Sequence, residues 1–126
     1  MELEYAALKA NRAAPVCMSV TADNRGDWRE IFISIRNALE AGYTKEECAL
    51  GFHHALAKYI AGICEKTGKR HVILSGGSFF NGVLTEKVRD LLYEKDIKVY
   101  IGTKLPCGDG GIALGQIFLK NIDNKI

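Results

Sequence analysis

The stretch from residue 71 to 101 constrains the fold most, because strand and helix patterns alternate within it. HVILS (71–75) is a short apolar run, which predicts a strand buried on both faces, and IKVYI (97–101) predicts a second strand. Between them, the apolar residues of VLTEKVRDLLYEK (83–95) recur at helical spacing. A helix of this length between two strands predicts a parallel βαβ unit with a right-handed crossover.

A glycine-rich loop follows each predicted strand, SGGSFFN (75–81) and LPCGDGG (105–111). Parallel strands end at the same edge of a sheet, where open α/β sheets bind ligands. Gly76 and Gly77 would let a ligand approach the backbone, and Asn81 suits a ribose or purine edge. The amides that open the next helix favour an anion or a sugar hydroxyl. The same residues also fit a plain turn capped by Asn81, so both interpretations stay open.

Asp109 is the candidate metal ligand, because it is a carboxylate in the second loop at the same predicted edge. One carboxylate does not make a metal site, and an aspartate among glycines is also a common turn residue or helix cap. Cys107, in the same loop, has no identifiable general base and is predicted to be a buried or bystander thiol. Pattern alone therefore does not decide between a site and a turn here.

Histidines and aromatic residues give weaker indications of a metal or ligand site. His53 and His54 are adjacent on a predicted helix, so their side chains diverge by about 100° and do not bind one metal from one face. Both are predicted to be structural. Of Phe79 and Phe80, one is expected to project toward the crevice at the predicted ligand-binding edge of the sheet and to stack on a base.

The first 70 residues predict three helices and a short β-prone run, VCMSV (16–20). A short helix over residues 2–12 comes first, and a helix follows the polar loop TADNRGD. The second helix is predicted to bury an apolar face made of Trp28, Ile31, Phe32, Ile35 and Leu39. Thr44 and Glu47 form a capping box that opens the longest helix, and IALGQIFLKN (112–121) predicts the last.

Composition indicates an ordinary single globular domain spanning residues 1–126. The chain is 48% hydrophobic and 25% charged, and its net charge is only +2, so no nucleic-acid partner is predicted. No apolar run reaches the roughly 20 residues that span a bilayer, and no targeting segment is evident, so we expect a cytoplasmic protein without a membrane partner. The four cysteines, at 17, 48, 64 and 107, lack metal-binding spacing and are expected to be reduced and mostly buried.

The segment HVILSGGSFFNGVLTEKVRDLLYEKDIKVYIGTKLPCGDGGIALGQ (71–116) resembles the C-terminal end of the HypF-type carbamoyltransferases of hydrogenase maturation. The corresponding stretch in that family reads strand, SGGVFQN, helix, strand and LPxxDGGIALGQ. MELE (1–4) and FHHALA (52–57) extend the likeness over nearly the whole chain. Ser78 and Phe80 depart from the Val and Gln that are usual in the family.

The resemblance implies an α/β fold with a parallel-rich sheet flanked by helices, as one lobe of the actin/hexokinase-like (ASKHA) ATPase fold, with kinship to the TsaD type. The family's domain uses carbamoyl adenylate, made from carbamoyl phosphate and ATP. It passes the carbamoyl group to the C-terminal cysteine of HypE, for the cyanide ligand of nickel-iron hydrogenase. By motif position, Gly76, Gly77 and Asn81 would contact the adenosine part. Asp109 would be a ligand of the divalent metal that holds the phosphates.

The resemblance covers only the C-terminal lobe of that domain, without the phosphate loop and the histidine pair that complete the metal site. We therefore expect little or no transfer activity from the chain alone, and expect a complementary N-terminal lobe and a HypE-type acceptor as partners. The alternative is a non-catalytic nucleotide-binding or protein-interaction module, which would pair with itself as a homodimer.

Overall fold

The computed structural model describes residues 2–21, 23–102 and 108–123, with the side chains of 121–123 left undescribed. Within these ranges the α-helices are α1 (Glu2–Leu8), α2 (Trp28–Glu40), α3 (Lys45–Lys66), α4 (Gly82–Tyr93) and α5 (Ile112–Asp123). The strands are β1 (His71–Leu74) and β2 (Lys98–Ile101), and short 3-10 turns at Gly77–Phe80 and Asp109–Gly111 precede α4 and α5. The order from β1 to β2 is the predicted strand, helix, strand.

The two strands pair in parallel, which confirms the predicted βαβ unit. Val72 pairs with Val99 and Leu74 with Ile101, so side chains of like size lie side by side. These four residues face α3 and α4 and form the main apolar core with buried residues such as Ala57, Val88 and Leu92. The chain is thus a mixed α/β structure with a small parallel sheet and helices packed on one of its faces.

The second face of the sheet is not covered by any described residue, so the prediction that β1 is buried on both faces was wrong. Ile73 is 75% exposed, and His71, Lys98 and Tyr100 also lie on the exposed face. An apolar run predicts a strand without telling which elements cover it, and both packing helices lie on the face opposite Ile73.

A second core joins α2, α3 and the extended segment that precedes α2. Ala14, Val16, Ile31 and Ala55 are buried there. Thr44 and Glu47 form the predicted capping box, since the Thr44 hydroxyl accepts the Glu47 N–H at 3.2 Å and the Glu47 carboxylate accepts the Thr44 N–H at 2.9 Å. The cap fixes where α3 begins.

The predicted buried face of α2 was correct only in part. Ile31 is buried and Ile35 is half-buried, but Trp28 is 54% exposed and Phe32 is 71% exposed. The described residues pack against one narrow strip of this helix, so the wider apolar face that the sequence predicts stays in solvent. The β-prone run at 16–20 contributes only an isolated bridge between Val20 and Gly26 and forms no regular strand.

None of the helices seen in residues 2–21, 23–102 and 108–123 is long and apolar enough to cross a membrane. Cysteine burial was predicted correctly only in part. Cys48 is buried, Cys64 is half-buried and Cys17 is exposed, and all three are free thiols. Cys107 lies outside the described residues.

Candidate functional site

The loop after β1 forms one tight turn in which Gly76 has a conformation that favours glycine. Gly76 has φ of 104°, in the region that side-chain-bearing residues rarely adopt. It stands directly before the 3-10 turn of Gly77–Phe80, where the Phe79 N–H donates to the Gly76 carbonyl at 3.1 Å. Gly77 differs, because a Cβ placed on it would meet no atom within 4 Å. Gly76 is thus required by the turn, whereas Gly77 leaves open space beside it.

Asn81 is the N-cap of α4, as the simpler interpretation of the pattern predicted. Its side-chain oxygen accepts the N–H of Leu84 at 2.9 Å. Its side-chain nitrogen lies 2.8 Å from Nε2 of His53 in α3. The amide oxygen therefore caps α4, and the amide nitrogen is bound to His53 in α3. One side-chain N–H is left without a described partner.

His53 is the residue of α3 that contacts the Asn81 side chain. The imidazole is 2% exposed, and Nδ1 lies 2.7 Å from the Ala49 carbonyl one turn earlier in α3. Both ring nitrogens are therefore engaged, and His53 is not free to act as a general base. His54 points elsewhere and lines a separate hollow with Lys87. Burial lowers the pKa of His54, and the nearby cations Lys87 and Lys58 lower it further.

Glu4 in α1 occupies the first amide of α4. Its carboxylate accepts the Gly82 N–H at 2.6 Å. Free amides at a helix start attract anions, but here Glu4 and Asn81 already hold two of them, and Glu4 adds a negative charge. The start of α4 therefore has two of its amides occupied and a carboxylate beside them, which disfavours an anion at this helix end.

These residues line one cleft of about 540 Å³, a volume within the range of roughly 300 to 1,000 Å³ of small-molecule sites. Asn81, His53 and Glu4 lie on its wall, and apolar contact comes from Phe52, Leu56 and Phe80. Phe80 is 65% exposed, so its ring offers a free face, whereas Phe79 packs against the main core. The lining can therefore hold a flat aromatic group beside a few hydrogen-bonding groups.

The described part of the second glycine-rich loop packs against the first loop, as the predicted convergence of the two requires. A Cβ on Gly108 would lie 2.8 Å from the Phe80 ring and 3.6 Å from the Gly77 Cα, so Gly108 packs closely on the first loop. Asp109 follows at once, is exposed, and opens the turn that leads into α5. Residues 103–107, including Cys107, lie outside the described residues.

A metal at Asp109 needs ligands from elsewhere. In the described part of the chain, no three His, Cys, Asp or Glu side chains are grouped closely enough to hold a metal ion. A single carboxylate does not retain a divalent cation by itself.

Glu4 and His53 line the cleft, although the sequence did not single them out for the site. Glu4 lies in the segment MELE and was given no role, and His53 lies in FHHALA and was predicted to be structural. Their contacts join residues 78 and 28 positions apart. No local pattern predicts such contacts, although recurrence of these segments in related proteins would have pointed to both.

Comparison with known families matches residues 1–116 to the family described as carbamoyltransferase, Kae1-like domain, second subdomain. Two curated relatives come from Cupriavidus necator. The carbamoyltransferase HypF homolog is 33% identical over 101 residues, which are 77% of this chain and 25% of that protein. Carbamoyltransferase HypF2 is 31% identical over 111 residues, which are 85% of this chain and 13% of that protein. The chain thus spans a quarter or less of either relative.

Two crystal structures share the fold. T. kodakarensis HypF matches with a TM-score of 0.82 and 29% identity, over 99% of this chain and 17% of that one. Full-length HypF in its phosphate- and nucleotide-bound form matches with a TM-score of 0.77 and 29% identity, over 91% of this chain and 16% of that one. Family match, relatives and fold agree, and the chain belongs to the HypF carbamoyltransferase family, within which it matches the second subdomain of the Kae1-like domain.

Proposed function

We propose that this chain is the nucleotide-binding lobe of a HypF-type carbamoyltransferase of the actin/hexokinase-like fold. In this proposal Gly76, Gly77 and Asn81 hold the adenosine part of ATP or carbamoyl adenylate. A complementary lobe holds the phosphates, and the carbamoyl group passes to the C-terminal cysteine of a HypE-type acceptor. The supporting observation is the open backbone at Gly77 beside the Asn81 amide, in a cleft large enough for a nucleoside.

The charges around the cleft support adenosine over phosphate at this end. Glu4 lies at the start of α4 with its carboxylate on the Gly82 N–H, so a phosphate there would meet a negative charge at close range. A ribose hydroxyl or a purine nitrogen meets no such repulsion. The exposed Phe80 ring offers a surface on which a base can stack.

Asp109 is proposed as one ligand of a divalent metal on the phosphate side. A cation there would neutralise charge on the phosphates, with its other ligands supplied by the complementary lobe. This proposal is supported by the packing of Gly108 on Gly77, since Asp109 is the next residue and is exposed.

The proposal is tested by titrating the purified chain with ATP, with and without a divalent metal, by calorimetry. The diagnostic variants are Gly77→Ala and Asn81→Ser. Alanine at 77 meets no protein atom but narrows the cleft, and serine at 81 is a good helix cap that lacks the amide. Each is expected to weaken binding about three- to tenfold, the effect of one lost hydrogen bond or close contact.

Gly62→Ala is the matched control, because Gly62 lies in α3, also has no atom within 4 Å of a Cβ, and does not line the cleft. Its affinity for ATP should equal that of the original chain. Absence of saturable binding at millimolar nucleotide would remove the proposal.

Carbamoyl transfer should need the second lobe, because a cleft enzyme stabilises charge with groups from both walls. The chain alone is expected to give no transfer to the acceptor cysteine, measured by mass spectrometry of the acceptor. Clear turnover without an added lobe would contradict this assignment.

A protein-interaction module is the second candidate function, and exposed apolar side chains favour it. Trp28 and Phe32 on α2, and Ile117 and Phe118 on α5, are all more than half exposed. Such residues mark surfaces that contact other proteins or a second copy. Light scattering after size-exclusion chromatography tests this function: a concentration-dependent dimer without nucleotide binding supports the module, and a nucleotide-binding monomer supports the lobe.

A further inference from the structure

A chain of three directed hydrogen bonds runs from α3 to the start of α4. His53 Nδ1 lies 2.7 Å from the Ala49 carbonyl, Asn81 Nδ2 lies 2.8 Å from His53 Nε2, and Asn81 Oδ1 lies 2.9 Å from the Leu84 nitrogen. Both ends are backbone groups with one role each. The Ala49 carbonyl only accepts, and the Leu84 N–H only donates.

These fixed ends determine the direction of every bond between them. Because the Ala49 carbonyl can only accept, Nδ1 of His53 carries a proton. Because the Leu84 N–H can only donate, Asn81 turns its oxygen to Leu84 and its NH₂ group to Nε2 of His53, which accepts. The reverse orientation would oppose two donors at Leu84 and two acceptors at His53.

We propose that His53 is the positioning residue that fixes the side-chain orientation of Asn81, so that Asn81 offers a ligand in the cleft a hydrogen-bond donor. Turning the amide over would lose two hydrogen bonds, which disfavours it by roughly 5- to 150-fold. Without His53, the Leu84 cap would be the one described bond that holds this orientation, and the acceptor on His53 adds the second. Here the uncommitted group is one N–H, which selects an acceptor such as a purine ring nitrogen or a ribose oxygen.

His53 acts through Asn81 and not on the ligand directly, since its ring is buried and both nitrogens are engaged. The statement about the ligand rests on the proposed nucleotide site. The statement about the orientation of Asn81 does not, because all three bonds lie within the chain. The two can therefore be tested separately.

Orientation is tested by nitrogen NMR of the chain at pH 7.5 without ligand. Two-bond proton–nitrogen correlations distinguish the two neutral tautomers and the imidazolium form, and loss of signals in His53→Gln assigns the ring. We expect a neutral ring protonated at Nδ1. A ring protonated at Nε2 or at both nitrogens would place a donor against Asn81 and overturn the proposal.

Positioning is tested with AMP as the probe, in His53→Leu and His53→Gln. Leucine fills the space without an acceptor, whereas the glutamine side-chain oxygen can accept the Asn81 N–H. We expect His53→Leu to bind AMP about three- to tenfold more weakly and His53→Gln to recover most of the affinity. Circular dichroism of each variant shows whether it is folded.

His54→Gln is the matched control, because His54 is the neighbouring histidine and faces a different hollow. Its affinity for AMP should be unchanged. Equal affinity in His53→Leu, His53→Gln and the original chain would refute the positioning role. If the original chain binds no AMP, the proposed nucleotide site fails together with the ligand preference, and the NMR result alone decides the orientation of Asn81.

Discussion

Replacing Gly51 with alanine should destabilise the fold although alanine favours helices. Gly51 lies in α3 against the extended segment that contains Ala14 and Val16. A Cβ on Gly51 would lie 2.5 Å from the Ala14 carbonyl oxygen and 2.8 Å from Cγ2 of Val16. Contacts below 3.0 Å are not tolerated, so the helix or the segment must move.

The extended segment that contains Ala14 and Val16 can move away from α3 only by straining or breaking its backbone hydrogen bonds. The Ala14 N–H donates to the Glu47 carbonyl at 2.9 Å, and the Val16 N–H donates to the Ala14 carbonyl at 2.8 Å. Overpacking costs about 1 to 3 kcal/mol, and the better helix propensity of alanine returns about 1 kcal/mol. Since the closest atom belongs to the backbone, we take the upper half of the range and expect a net loss of about 1 to 2 kcal/mol.

Urea unfolding followed by circular dichroism measures this loss as a lower midpoint at an unchanged slope. Gly62→Ala in the same helix provides the comparison, because a Cβ there meets no atom within 4 Å. It should raise the free energy of unfolding by about 0.5 to 1 kcal/mol through helix propensity alone. If both variants were stabilised equally, the close approach at Gly51 would be refuted.

Three further outcomes follow from the structure. Asn81→Ala should lower the free energy of unfolding by about 1 kcal/mol because it removes the α4 cap, and Asn81→Ser should restore most of it in the same urea assay. Because the pKa of His54 is lowered on folding, the unfolded state binds a proton more readily, so stability should fall as pH drops below about 6.5. His54→Gln should reduce that slope in thermal melts from pH 7.5 to 5. Iodoacetamide should alkylate exposed Cys17 well before Cys48, whose thiol is buried and has a raised pKa, as peptide mapping of the native chain would show. Equal rates at the two cysteines would contradict the described burial.

Much of the fold was predictable because its signals are local. The helical spacing of 83–95 and the capping box at Thr44 and Glu47 depend on neighbouring residues, and both appear as predicted. The parallel pairing followed from connection length alone. What failed was burial. Trp28, Phe32 and Ile73 have the side chains of core residues, but which apolar face is covered depends on elements distant in sequence.

Part of the candidate site was also predictable from the sequence, and part was not. Gly76 and the convergence of the two glycine-rich loops followed from strand order and turn chemistry. Whether Asn81 caps a helix or binds a ligand could not be decided from the sequence, because both uses need the same short amide. The structure shows the cap and leaves one side-chain N–H of Asn81 without a described partner, so capping does not exclude the proposed ligand contact.

The bond between Glu4 and Gly82 also bears on the order in which the chain folds. It joins residues 78 positions apart, whereas the bonds within α3 and α4 close over four residues. Long loops close late because their ordering entropy must be offset by contacts already made. We therefore expect the helices and the strand pair to assemble first and α1 to dock afterwards. The cleft would then be completed in the final step, when Glu4 in α1 reaches the Gly82 N–H at the start of α4.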